Sequence, residues 1–245
     1  MNNHFTIIIP SYNVEQWVDR TLSSALNQKY DNFDVIFIDA KSSDRTYDIA
    51  LSYTEKYSNL KVIRNEKRKY PIENIKVGTL EAKDNSICIN LDGDDWLKDD
   101  QVLNKLNDIY TDDVWMTYGT YEEFPYRDVS IHYYAYPNYV IENNLIRKFN
   151  WLASHLRTYR KELFLHINDN DMRDEQGNYL SMAGDVALQF PMLEMSGFHS
   201  RYVPDILYVY NRTNTLSESN VDINYQQKIE QYIRNKQKYK KLEKL

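Results

Sequence analysis

The chain has 245 residues, 36 acidic against 30 basic side chains, a formal net charge of −6 and one cysteine. That length builds one good core, the acidic balance argues against a nucleic-acid partner, and a lone cysteine excludes a disulfide framework. No apolar run is long enough to span a membrane and the first strand begins too early for a cleaved leader, so a cytoplasmic protein with at most a peripheral contact at a membrane face is expected.

Phe5-Thr6-Ile7-Ile8-Ile9 is a β-branched run ended by Pro10, the pattern of a buried first strand. Residues 10–13 form a loop, and Val14, Trp17, Val18, Leu22, Ala25 and Leu26 then recur at helical spacing. Phe33 to Asp39 read as a second strand with an acid at its carboxyl end. Ser42-Ser43-Asp44 is a start signal for a helix carrying Ile49, Ala50 and Tyr53 on one face. Leu60 to Arg64 make a third strand, and a helix from Ile72 to Ala82 leads into a fourth, Ser86 to Leu91.

Asp92-Gly93-Asp94-Asp95-Trp96 follows that strand directly. Burying uncompensated carboxylates costs on the order of several kcal/mol, so the cluster calls for cations or water. A divalent metal holding a phosphorylated ligand suits the edge of a central strand. The plainer alternative is a polar turn capping a helix that starts near Asp99. Strands alternating with helices predict an α/β fold with right-handed βαβ units, a mostly parallel, Rossmann-like sheet and helices on both faces. Ligands on such sheets sit outside the carboxyl ends of the strands. Residues 10–13, Asp39 and residues 92–95 all fall on that edge.

The later half is less regular. Val114 to Tyr118 predicts a strand, Tyr121 to Tyr139 a loop or hairpin, and Lys161 to His166 a helix. Residues 150–159 have mixed polarity, and Asn168 to Asn178 is an acidic, loop-like stretch. Asp185 to Met195 predicts a helix, Tyr202-Val203 and Ile206 to Tyr210 are strand-like, and a Lys- and Gln-rich helix is expected from Ile223 to Leu245.

Taken together, the motifs Ile7-Ile8-Ile9-Pro10-Ser11-Tyr12-Asn13, Ile38-Asp39-Ala40-Lys41-Ser42-Ser43-Asp44 and Leu91-Asp92-Gly93-Asp94-Asp95-Trp96 resemble those of GT-A glycosyltransferases of family 2. The resemblance implies a nucleotide-sugar-binding half over residues 1–120. An acceptor-side half of the same domain covers 121–221, and a helical tail covers 222–245. It implies that Pro10, Tyr12 and Asn13 border the nucleotide, with the Tyr12 ring near the base, and that Asp39 accepts a hydrogen bond from uracil. Ala40 and Lys41 stand where the family usually has Asp and Gly. Asp92-Gly93-Asp94 matches the family's DxD signature, in which the first acid lies near the ribose. Asp94 would then ligate Mn²⁺ or Mg²⁺ on the diphosphate of a UDP-sugar. Asp95 is expected as a helix cap, against the alternative of a further shell around the metal. Within the basic run Lys67-Arg68-Lys69, Lys69 is assigned to the nucleotide or its phosphates, against the alternative of a solvated face.

Asp185 matches the family's general base, with Gly184 in place of the usual preceding Glu. The alternative is a carboxylate favoured by the helix dipole alone. His155, Arg157 and Trp151 are candidates for a sugar or acceptor pocket or for the core, and Arg212 for an approach to the diphosphate. The implied activity is metal-dependent, inverting transfer from a UDP-sugar to a hydroxyl of a glycan, lipid-linked or protein acceptor, and a homodimer is compatible with it. Two alternatives stand beside it: a non-catalytic nucleotide-sugar or glycan-binding subunit, and a nucleotidyltransferase, which lacks support because no Gly-rich phosphate loop follows the first strand.

Overall fold

The computed structural model describes residues 2–126, 133–215 and 223–245. The amino-terminal half runs β1 (Phe5–Ser11), α1 (Val18–Leu26), β2 (Phe33–Asp39), α2 (Thr46–Ser52), β3 (Leu60–Arg64), α3 (Pro71–Glu81) and β4 (Ile87–Asn90). These four strands lie side by side and parallel in the order β3-β2-β1-β4. Pro10 sits inside β1 rather than ending it. The β1–β4 ladder stops at Ile8, whose carbonyl accepts from the Leu91 N–H at 3.0 Å. Pro10, two residues on, faces the same side where no strand remains, so its missing N–H breaks no ladder bond. Pro71 opens α3 as its first residue, where the N–H is not needed. The Glu73 carboxylate reaches back to the Tyr70 N–H at 3.0 Å.

The second half runs β5 (Trp96–Leu97), α4 (Val102–Ile109), β6 (Met116–Phe124), α5 (Asn138–Glu142), β7 (Ser154–Arg160), α6 (Lys161–Leu165), α7 (Gly184–Ser196), β8 (Ser200–Asn211) and α8 (Ile223–Asn235). It extends the same sheet to β3-β2-β1-β4-β7-β6-β8-β5. The mixed-polarity stretch 150–159 supplies β7, which enters antiparallel against β4 with Asn90 opposite Arg157. β6 runs on to Phe124, past the start of the expected loop. The two strand-like pieces near residue 205 are one strand, β8, whose pairing with β6 shifts register around Gly119 and Thr120. The tail helix stops at Asn235 rather than continuing to Leu245. Among the described residues no helix is long and apolar enough to cross a membrane.

Strand alternation sorts the core. Ile7, Ile9, Val35 and Phe37 face α1, α2 and α4, while Ile8, Ile36 and Ile38 face α3 and α7. Each fully buried aliphatic side chain contributes roughly 1.5–3 kcal/mol, so a two-faced sheet is the efficient use of these continuous apolar runs. On the α7 side, the Arg147 guanidinium holds the Glu194 carboxylate at 2.7 and 2.9 Å and donates to the Ile233 carbonyl at 2.6 Å. All of these groups are buried, and they tie α7 and α8 to the turn at Ile146–Lys148.

Candidate active site

The carboxyl ends of β1, β2 and β4 form the edge on which the site is built. At the β2 end Asp39 is fully buried and accepts from the Ser42 N–H through both oxygens at 3.2 Å. Arg64 Nε lies 3.4 Å from the same carboxylate. The turn between them needs a left-handed residue, and Lys41 supplies it at φ 70° without the usual glycine. Asn13, at φ 52°, is fixed to that turn by its N–H to Ser42 Oγ and by its side-chain oxygen to the Ser43 N–H, both at 2.9 Å. Of the basic run, Arg68 reaches the first loop, with its guanidinium carbon 3.2 Å from the Tyr12 ring centroid. Lys69 stands next to it, half-buried.

At the β4 end the acidic turn is closely packed. A Cβ on Gly93 would fall 2.2 Å from Ser11 Oγ and 3.0 Å from the Pro10 carbonyl oxygen, so no other residue fits. The Thr21 hydroxyl donates to the Gly93 and Asp95 carbonyls at 3.0 and 2.7 Å. Asp94 Oδ2 accepts from the Asn214 amide at 2.7 Å, and its backbone carbonyl accepts from Asn211 Nδ2 at 3.0 Å. Asp95 is not a helix cap. Its carboxylate accepts from the Asn211 N–H at 2.7 Å and the Tyr208 hydroxyl at 2.5 Å, inside the protein. Ahead of α4, Asp99 accepts from the Gln101 N–H at 2.9 Å, but no side chain caps the helix.

Electrostatics follow from that packing. Burial, the neighbouring Asp94 and more weakly Asp185 push Asp92 up to about 6, against the pull of Arg157. Burial raises Asp94, and burial with the charges of Asp94 and Asp92 raises Asp95 well above the usual carboxylate range. Three acids crowded in low dielectric repel one another, and the recorded ion pairs of the described residues bring no Lys or Arg to any of them. The three acids are not arranged as a group that could hold a metal ion by themselves, and no other such group of His, Cys, Asp or Glu occurs among the described residues.

β7 and α7 bring in the rest. Ala183, at φ 52°, turns the chain into α7 and places Asp185 in its first turn. Asp185 Oδ2 lies 2.9 Å from Arg157 Nη2. Arg157 is itself held by the Ala153 carbonyl at 3.0 Å and lies 3.3 Å from His155 Nε2. His155 stacks on Tyr208 with centroids 4.2 Å apart, and burial, then Arg157 and Arg212, hold it well below its usual range and hence neutral. Gly184 has a steric reason: a Cβ there would sit 3.0 Å from the Ile72 Cβ at the start of α3. Arg212 is paired with buried Glu123 at 2.6 Å.

Over residues 6–167 the sequence matches the model of glycosyl transferase family 2. The chain belongs to this family. A Haemophilus influenzae uncharacterized glycosyltransferase is 30% identical over 116 residues, covering 47% of this chain and 46% of that protein. Streptococcus pneumoniae glycosyltransferase GlyG is 22% identical over 187 residues, 71% of this chain and 62% of that one. Against the first of these the chain thus spans about half its relative's length. Among solved structures, Staphylococcus aureus TarS 1-349 in complex with UDP-GlcNAc superposes with TM-score 0.71 at 20% identity, covering 94% of this chain and 65% of TarS. Mannosyltransferase PcManGT from Pyrobaculum calidifontis with GDP-Man and Mn²⁺ gives 0.60 at 16% identity, covering 85% and 57%. The fold is therefore GT-A.

In this family 2 chain the sequence singled out the three acid-bearing loops but not Tyr208, Asn211 or Asn214, which lie more than 110 residues from the acids they hold. Asn211 heads an Asn-Arg-Thr triplet that reads as a glycosylation signal, yet it is buried and bonded to the acidic turn.

Proposed function

We propose that this family 2 chain transfers a sugar from a UDP-linked donor to an acceptor hydroxyl, with inversion and with a divalent metal. The observation that carries the reading is that Asp185 pairs with Arg157 at 2.9 Å while the charges of both act on Asp92, in the half-buried acidic turn at the end of β4. In this reading the acceptor oxygen attacks the anomeric carbon as the bond to the diphosphate breaks, Asp185 Oδ takes the acceptor proton, and UDP departs with the bonding electrons. Asp39 and Tyr12 hold the base, with Arg68 over the Tyr12 ring as a second cover. Arg157 orients Asp185 and faces charge developing between them.

Asp94, with Asp92 beside it, offers hard carboxylate oxygens that suit Mn²⁺ or Mg²⁺. Asp94 and Asp92, which form no ion pair with a Lys or Arg among the described residues, would hold such an ion, and as no third His, Cys, Asp or Glu joins them in a metal-holding group they would supply only part of its ligands. Such an ion supplies neutralisation of the leaving diphosphate. A UDP-sugar is favoured over a GDP-sugar because the nearer of the two named folds, TarS, holds UDP-GlcNAc. Acceptors of the kind carried by the Escherichia coli relative that glucosylates a GlcNAc-diphosphoundecaprenol suit a chain of this family.

A panel of UDP-sugars, with GDP-mannose alongside, tests the reading by UDP or GDP release in Mn²⁺. Release of UDP that a chelator and Asp94→Ala both abolish supports it. UDP binding with no turnover of any nucleotide sugar replaces it with a nucleotide-sugar-binding subunit.

A further inference from the structure

A cavity of about 640 Å³ opens between residues 147–151 and one face of α8. That volume lies within the roughly 300–1,000 Å³ of small-molecule sites, and the cavity belongs to none of the nucleotide-side loops. Its lining sets the aromatic rings of Phe149 and Trp151 and the amides of Asn150, Gln231 and Asn235 among charged side chains. The charges in its wall are mostly neutralised internally. Arg234 pairs with Glu230 at 2.7 Å and donates to the carbonyls of Arg147 and Phe149 at 2.7 and 3.0 Å. Arg147 is held by Glu194. Lys148 remains as an exposed cation at the rim.

Trp151 connects the wall to the candidate reacting groups. The Trp151 ring packs edge-on against Phe190 of α7, with centroids 5.5 Å apart at 82°. Its centroid lies 6.0 Å from the Arg157 guanidinium carbon, and Arg157 holds Asp185. Flat aromatic faces with amide donors and acceptors around them match the alternating apolar faces and hydroxyl edges of a pyranose ring. A phosphate would need unpaired cations instead, and a lipid tail an apolar wall.

We infer that this cavity is the acceptor subsite, holding uncharged sugar residues next to the one whose hydroxyl reacts, with Trp151 as the stacking platform. The inference rests on the transferase reading above, since the cavity reaches Asp185 only through Trp151 and Arg157. Arg234 and the buried Arg147–Glu194 pair pre-form the wall, which keeps the ordering cost of binding low.

Saturation-transfer NMR with neutral disaccharides (maltose, lactose and N,N′-diacetylchitobiose) tests it, with glycerol 3-phosphate as the anionic probe and UDP plus Mn²⁺ titrated in parallel. The expected result is binding of a neutral disaccharide that Gln231→Trp, on the exposed face of α8, abolishes. Trp151→Phe, which keeps the contact with Phe190, should weaken it about threefold to tenfold. UDP affinity should stay unchanged in both variants. Absence of disaccharide binding, binding that Gln231→Trp leaves intact, or binding of glycerol 3-phosphate alone that Lys148→Ala removes would each overturn the inference. Failure of the transferase reading is separately visible, as loss of nucleotide-sugar turnover while the disaccharide signal stands.

Discussion

The Tyr208 hydroxyl donates to Asp95 at 2.5 Å and sits 3.3 Å from Asp92 Oδ2, so one residue of β8 clamps two acids that follow β4. The clamp lets the turn keep its shape although its carboxylates repel one another. Tyr208→Phe leaves buried Asp95 with the Asn211 N–H alone. Leaving a buried polar group without one of its hydrogen-bond partners costs about 1–3 kcal/mol. Denaturant unfolding should show a lower midpoint with an unchanged slope, and metal-dependent UDP affinity should fall as the turn loosens.

Asp92 predicts a specific dependence on pH. Its folded-state value of about 6 lies above the ordinary unfolded value near ~3.9. The folded protein therefore binds this proton more tightly, and the stability it contributes is complete below about pH 4 and lost as pH climbs through about 6. The melting temperature of the metal-free protein, compared with that of Asp92→Asn, should decline across this window, because the variant removes the titration. Protection by Mn²⁺ with UDP should grow over the same range, since the ion competes with the proton.

Asp185→Asn preserves the shape of the side chain and its oxygen toward Arg157 while removing basicity. Transfer should fall by roughly 10²- to 10⁴-fold, the usual contribution of a general base, with UDP and metal affinity retained. Full transfer combined with a lower melting temperature would reduce Asp185 to an anchor for Arg157 at the start of α7. Glu194, an alternative acid on the same helix, is held by Arg147 in the core and is not available for that role.

Gly184→Glu tests whether the departure from the family's acidic pair is steric. The added Cβ meets Ile72 at 3.0 Å, where α7 approaches α3. Overpacking of this kind typically costs about 1–3 kcal/mol. The variant should melt earlier without gaining activity. Unchanged stability with faster transfer would mean that the site lacks an acid it can accommodate.

The sequence by itself determined the parallel half of the sheet and its reactive edge. In β1, β2 and β4 apolar runs alternate with helical spacing, and chain order alone makes such units right-handed and parallel. Asp39 and Asp92–Asp94 follow the ends of β2 and β4, so they had to share one edge. Lys41 was not legible as the turn residue, because a left-handed lysine is stabilised by bonds from Ser42 and Asn13 that only folding supplies. Tertiary structure alone decided the rest. β7 has no clean alternation because it lies inside the sheet between β4 and β6 and carries polar side chains on both faces, with Arg157 paired to Asp185 and Thr158 bonded to Tyr110 and Thr117. That insertion carries His155 and Arg157 to Asp185 and Tyr208, and β8 carries Tyr208 and Asn211 back to the acidic turn. Sequence periodicity reports which face of an element is buried. It does not report which distant side chain meets a charge, and at this site those meetings pair Arg157 with Asp185 and Tyr208 with Asp95.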